Sequence, residues 1–201
     1  MNIYLKFLTA VTVAALMVLP AMTVASDSHS TVNKGIRIDD GSTAGDVDSV
    51  NGSIRIGAGS FVESVDSVNG SIKLGNDVTV DKNIDAVNGA INLAAGCEVG
   101  GNVETVNGGI KIENTRVAGD VETINGQLRI LQGSEVSGNV LVRKPNGWSS
   151  NKWRKPVKVE IGQDVIIHGD LIFEHAVELD LHESARVGEI IGEKVELVSN
   201  S

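Results

Sequence analysis

Cysteine, proline, aromatic side chains and positive charge are all scarce in this chain, and each shortage excludes something. The single cysteine, Cys97, cannot close an intrachain disulfide, so the fold must hold without covalent staples. Its neighbours Gly96 and Val99 place it where other segments carry Ser or Val, which reads as a small packed residue rather than a reactive thiol. Three prolines leave no room for a proline-rich linker. Aromatic residues make up 3% of the chain, and only Phe61, Trp148, Trp153 and Phe173 follow the first 25 residues. That is too few to line a sugar-cleaving cleft with aromatic platforms. Basic residues number 17 against 26 acidic ones, for a formal charge of −9. Such a balance argues against nucleic acid or an anionic membrane as a partner for the surface as a whole.

What is present begins with an export signal. Lys6 precedes an apolar run from Phe7 to Val24, and Thr23-Val24-Ala25 resembles a small-residue cleavage site. The run is nearly long enough to span a bilayer, so an uncleaved anchor is the competing reading; Pro20 and the Thr-Val-Ala exit favour cleavage. Residues 1–25 are therefore expected to be removed, leaving no stable membrane span, a short leader at 26–31 and a periplasmic or secreted protein. Loss of Lys6 takes the formal charge to −10.

The dominant feature is an internal repeat. VNKGIRI at 32–38 returns as VNGSIRI (50–56), VNGSIKL (68–74), VNGAINL (87–93), VNGGIKI (106–112) and INGQLRI (124–130). Its asparagines, Asn33, Asn51, Asn69, Asn88, Asn107 and Asn125, are spaced by 18, 18, 19, 19 and 18 residues. A second half-motif, GDV or GNV, lies between the blocks, and two weaker copies follow at 159–171 and 177–190. Val and Ile dominate, apolar residues alternate within IRI and IKI, and Gly, Asn and Asp punctuate every few positions, so each repeat holds short strands and no helix.

A hairpin repeat would require matched alternation on both sides of Asn-Gly. Val47, Val50, Ile54 and Ile56 are spaced by three, four and two instead. Short strands divided by corners fit that irregularity. The expected fold is all-β: a single-stranded parallel β-helix, or β-solenoid, of about eight turns of 18–19 residues over 32–201, with an insertion at 143–156. Val106, Ile110, Ile112, Val117 and Val121 form the inward set of one turn. Asn-Gly is expected to turn a corner in a left-handed conformation, with the six asparagines hydrogen-bonding along the axis as a structural ladder.

Two charged columns follow from the repeat. Asp48, Asp66, Asp85, Glu104 and Glu122 come directly after an inward Val or Ile; Arg37, Arg55, Lys73, Lys111 and Arg129, interrupted by Asn92, lie between paired apolar residues. The columns either pair across a corner or give the rod one acidic and one basic face. Stacked carboxylates in water repel by only about 1 kcal/mol at such spacing, so the acid column needs no cation, and no glycine-rich calcium nonapeptide occurs.

Neither a nucleophile nor a general base sits in a recognisable signature, and His168, His175 and His182 lack zinc-ligand spacing. No catalytic residue, metal or cofactor is assigned. The one break in the rule is RKPNGWSSNKWRKP at 143–156. It holds both tryptophans and the bases Arg143, Lys144, Lys152, Arg154 and Lys155, and no acid. Trp148, Trp153, Lys152, Arg154 and Lys155 are the candidate partner-binding residues; tryptophan beside cationic groups suits an anionic glycan, a lipid headgroup or an acidic protein surface. The alternative is that one Trp covers the core.

The VNG repeats over 32–141 resemble those of putative-adhesin β-solenoid domains of bacterial exported proteins, and IGQDVIIHGDL at 161–171, within 157–191, resembles a bactofilin turn. The second likeness implies a right-handed coil and end-to-end self-association. Together these readings point to a non-enzymatic envelope or secreted scaffold presenting a rigid surface to an unknown protein or anionic glycan. A β-helical carbohydrate-active enzyme is the alternative.

Overall fold

A computed structural model of the chain describes residues 27–144, 155–192 and 194–198. The expected signal at 1–25 lies outside them, as do Trp148, Lys152, Trp153 and Arg154 of the insertion. Among the described residues there are only strands, turns and corners, and every paired strand runs parallel to its neighbours in a β-solenoid of about eight turns.

One turn shows the construction. Ile110–Glu113 lies in a nine-stranded sheet, while Arg116–Val117 and Val121–Thr123 lie in a 14-stranded one. Near the N-terminus the last two strands of a turn fuse into one, as in Thr43–Ser49 and Phe61–Ser67. The stack starts earlier than the repeat alone indicates, with His29–Thr31 pairing onto Val47–Ser49. The insertion stretches the step from Leu128 to Val159 without disturbing register: Leu128 still pairs with Val159 and Ile130 with Ile161.

Because the turns superpose, like stacks on like. Ile54, Ile72, Ile91, Ile110 and Leu128 follow one another down the centre, each at most 1% exposed. Cys97 fits the same logic: it is buried, its Sγ lies 3.1 Å from the Gly75 carbonyl oxygen, and burial pushes its thiol pKa up. Ile110, Ile112, Val117 and Val121 point inward. Val106 does not. Val103–Thr105 alternates in, out, in, so Thr105 is the buried residue, and Val106 stands on the corner, partly exposed. Val50, Val68 and Val87 occupy the equivalent corner, each 41% exposed. The inward hydroxyls bond the Asn-Gly corners: Ser67 Oγ donates to the Gly70 carbonyl of the corner that follows it at 2.9 Å, and Thr105 Oγ1 to the Gly89 carbonyl of the corner one turn earlier at 3.2 Å.

The Asn-Gly corner also corrects the sequence reading. Its residues are absent from the left-handed region, which is filled once per turn at another corner, by Gly41, Gly59, Asp77, Gly96, Asn114, Gly133 and Asp164, with φ between 44° and 81°. After Gly, Asn and Asp are among the residues that most readily take that conformation, and this mixture hid the column from a search for repeated glycine. Glycine is required at Asn-Gly for closeness: a Cβ on Gly70, Gly89 or Gly108 would collide with the carbonyl of the glycine one turn before. The asparagines stack as a ladder, Nδ2 of Asn51, Asn69, Asn88, Asn107 and Asn125 each donating to Oδ1 of the preceding one at 2.9–3.0 Å. A second ladder runs through the GDV/GNV corner. There the side-chain oxygens of Asn83, Asn102, Asp120, Asn139 and Asp170 each accept the backbone N–H one turn later, at 2.7–3.0 Å.

These two roles predict different costs at adjacent residues. Asn88→Ala removes two exposed amide bonds, worth about 1–2 kcal/mol together, whereas Gly89→Ala must force two layers apart. Thermal unfolding should show Gly89→Ala lowering the melting temperature at least twice as far as Asn88→Ala. Equal losses would contradict the close-packing role of the glycine.

Candidate functional site

Register places the two charged columns on different sheets. Asp48, Asp66, Asp85, Glu104 and Glu122 align rung by rung in the 14-stranded sheet. Arg37, Arg55, Lys73, Asn92, Lys111 and Arg129 align in the nine-stranded one. Among the described residues no acid of one column pairs with a base of the other, so over these turns the rod has an acidic face and a basic face; beyond Arg129 the second column continues as Glu160 and Asp180.

The acid column is more enclosed than a solvated row. Its carboxylates are half-buried in a shallow groove whose far wall is the corner stripe Val68, Val87, Val106 and Ile124. Burial first, then repulsion from Asp66 and Glu104, pushes the Asp85 pKa up to about 6. Asp66 is raised as well, by burial and then by Asp48. Glu104 accepts a hydrogen bond from Asn102 Nδ2 at 2.9 Å, and Glu122 is met by Arg143 Nε at 2.7 Å. Asp66 and Asp85 form no ion pair with any described base. Past Glu122 the column turns apolar, through Leu141, Ile172 and Ile191.

The basic face is more open. Arg37, Arg55 and Lys73 are exposed. Lys111 pairs with Glu113 at 2.8 Å and Arg129 with Glu160 at 2.6 Å, while Arg55 and Lys73 have no acidic partner among the described residues.

Lys144 and Lys155, the described residues on either side of 145–154, stand at the corner that carries Asn-Gly in earlier turns. Arg143 bridges Glu122 and, at 3.7 Å, Glu174; the Lys144 N–H donates to Glu174 Oε2 at 2.8 Å. Lys144, Lys155 and Lys194 gather round a cavity of about 660 Å³ backed by Ile172, Phe173 and Ile191. Of the sequence-nominated contact residues only Lys155 lies within the described residues, and it lines this cavity.

The three histidines stay apart, and they occupy corners and turns rather than strands. His168 Nε2 lies 2.8 Å from Glu135 Oε1, His175 Nε2 is 3.1 Å from the Ile124 carbonyl oxygen, and His182 Nδ1 is 3.0 Å from Ser184 Oγ. Among the described residues no three His, Cys, Asp or Glu side chains are grouped to hold a metal ion.

The Asp85 pKa has a consequence for stability. An acid raised on folding, from an ordinary 3.8 to about 6, favours the fold below the lower value. That contribution is lost as pH rises through about 6. Asp85→Asn should therefore raise the melting temperature at pH 7.5, by about 1 kcal/mol of stability after solvent screening, and the gain should vanish at pH 3.5. A gain independent of pH would refute the burial-and-repulsion account. Compared with protein-family models, curated proteins and solved structures, the chain gives no match.

Proposed function

We propose that the protein is a non-enzymatic scaffold of the cell envelope or exterior, a rigid solenoid that presents its basic, tryptophan-bearing insertion to an acidic protein or an anionic glycan. The observation that carries this reading is the stem of the insertion. Arg143 is pinned between two carboxylates, and the lysines at both ends, Lys144 and Lys155, flank one cavity with Lys194. A cationic segment mounted on a stack of hydrogen-bonded layers is held in place at its base, which lowers the ordering cost of binding.

Likeness to putative-adhesin solenoids and to bactofilins fits such a role through repeat grammar, and export fits the Lys6-to-Ala25 layout. A β-helical carbohydrate-active enzyme finds one point of support, the raised carboxylate Asp85 in a groove. Against it, the groove wall is aliphatic and the histidines lie elsewhere.

The test is a double substitution, Trp148→Ala with Trp153→Ala, read in two ways. Titration with an anionic polysaccharide such as polygalacturonate should show binding weakened at least tenfold, with the melting temperature within about 1 °C of the parent. If a tryptophan instead covers the core, the variant loses about 3–5 kcal/mol and melts many degrees lower. That result would replace a binding segment with a structural plug.

A further inference from the structure

The acidic groove and the basic face share a property beyond opposite charge: both repeat once per layer. Layers of one solenoid are separated by the strand spacing, about 4.8 Å. An extended peptide repeats its side chains on one face at about 6.8 Å and a helix at 5.4 Å per turn, so either drifts out of step within a few rungs. A second solenoid does not drift. Its rungs have the same spacing by construction.

Shape agrees with spacing. The acids are recessed and half-buried beside the stripe Val68, Val87 and Val106, whereas the bases of the other face protrude. Long Lys and Arg side chains reach into a recess and lay their methylene stems on its apolar wall. The charges that would meet are free for it among the described residues: Asp66 and Asp85 are consecutive rungs without a basic partner, and Arg55 and Lys73 are consecutive rungs without an acidic one. At the last rung the contact already exists within one chain, where Arg143 sits on Glu122 at 2.7 Å.

From this we infer that two copies of the chain associate side by side, the basic face of one, through Arg55 and Lys73, entering the acidic groove of the next at Asp66 and Asp85. The contact is heterologous: one copy is left with a free groove and the other with a free basic face, so association continues laterally instead of stopping at a dimer. Only a narrow strip a few layers long is covered, which places the interaction among weak, salt-sensitive contacts. The net negative charge opposes it at long range, and salt near 0.15 M screens that repulsion beyond about 8 Å while leaving pairs in contact. This inference is independent of the insertion and goes beyond the role proposed for it.

Sedimentation velocity on the whole protein tests it with complementary charge reversals. In 50 mM salt the parent should self-associate with rising concentration, and 500 mM salt should weaken this at least tenfold. Asp66→Lys with Asp85→Lys should abolish association, as should Arg55→Glu with Lys73→Glu, while an equimolar mixture of the two variants should associate again. Circular dichroism melts establish that each variant is folded. If a reversal does not fold, the neutral pair Asp66→Asn with Asp85→Asn takes its place and should weaken association at least tenfold. A parent that stays monomeric at millimolar concentration in low salt overturns the inference. So do folded variants that associate as the parent does, which points to the exposed strands at the ends of the rod, and so does a mixture that fails to restore association.

Discussion

The rest of the structure depends on the parallel hydrogen bonding of each turn to the turns before and after it. Five or so aliphatic side chains per turn cannot offset the entropy of ordering a whole turn, so a single turn has no independent stability. Backbone pairing supplies the remainder and dictates position. Val87 N–H bonds the Ser67 carbonyl at 2.9 Å, Val106 N–H that of Ala86 at 3.1 Å, and the corner residues continue the series. Once backbone register is set, every side chain stands on its counterpart one layer away.

Everything distinctive about the surface follows from that rule. A residue type that recurs once per repeat becomes a line along the rod: an asparagine line, an acidic line, a basic line, a valine line. Lines of amides stabilise one another, because each amide both donates and accepts. Lines of like charge do the opposite, and Asp85, caught between Asp66 and Glu104, shows it in a pKa pushed up to about 6. The fold thus tolerates some electrostatic strain in return for a surface whose chemistry repeats at a fixed interval. That regularity ends where the insertion emerges, and there the acid line gives way to Leu141 and Ile172.

Much of this was legible in the sequence, because the repeat length is itself a geometric fact about the fold. The period gave the architecture, the alternation in IRI, IKL and IKI gave the buried Ile54, Ile72 and Ile110, and the asparagine spacing gave the ladder. What sequence reading missed has physical causes. Val106 is apolar and conforms to the repeat, yet it stands on a corner, and hydropathy does not tell a corner from a strand. The left-handed column was invisible because Gly, Asp and Asn share it. The role of Asn-Gly was misassigned because two reasons for glycine, positive φ and close approach, leave the same letter in the sequence. The enclosure of the acid groove was out of reach too, since it depends on a wall built by the corner valines of neighbouring layers.

The central claim is that stability resides in whole layers stacked in register. Deleting residues 87–105 removes one layer and joins Ala86 to Val106, so every remaining inward residue still meets its counterpart; deleting only 87–95 joins Ala86 to Gly96 and turns polar positions into the core. Calorimetric unfolding of the two shortened proteins decides the matter. The first should keep a cooperative transition within a few degrees of the parent, and the second should lose it or melt far lower. Equal losses from the two deletions would contradict the account.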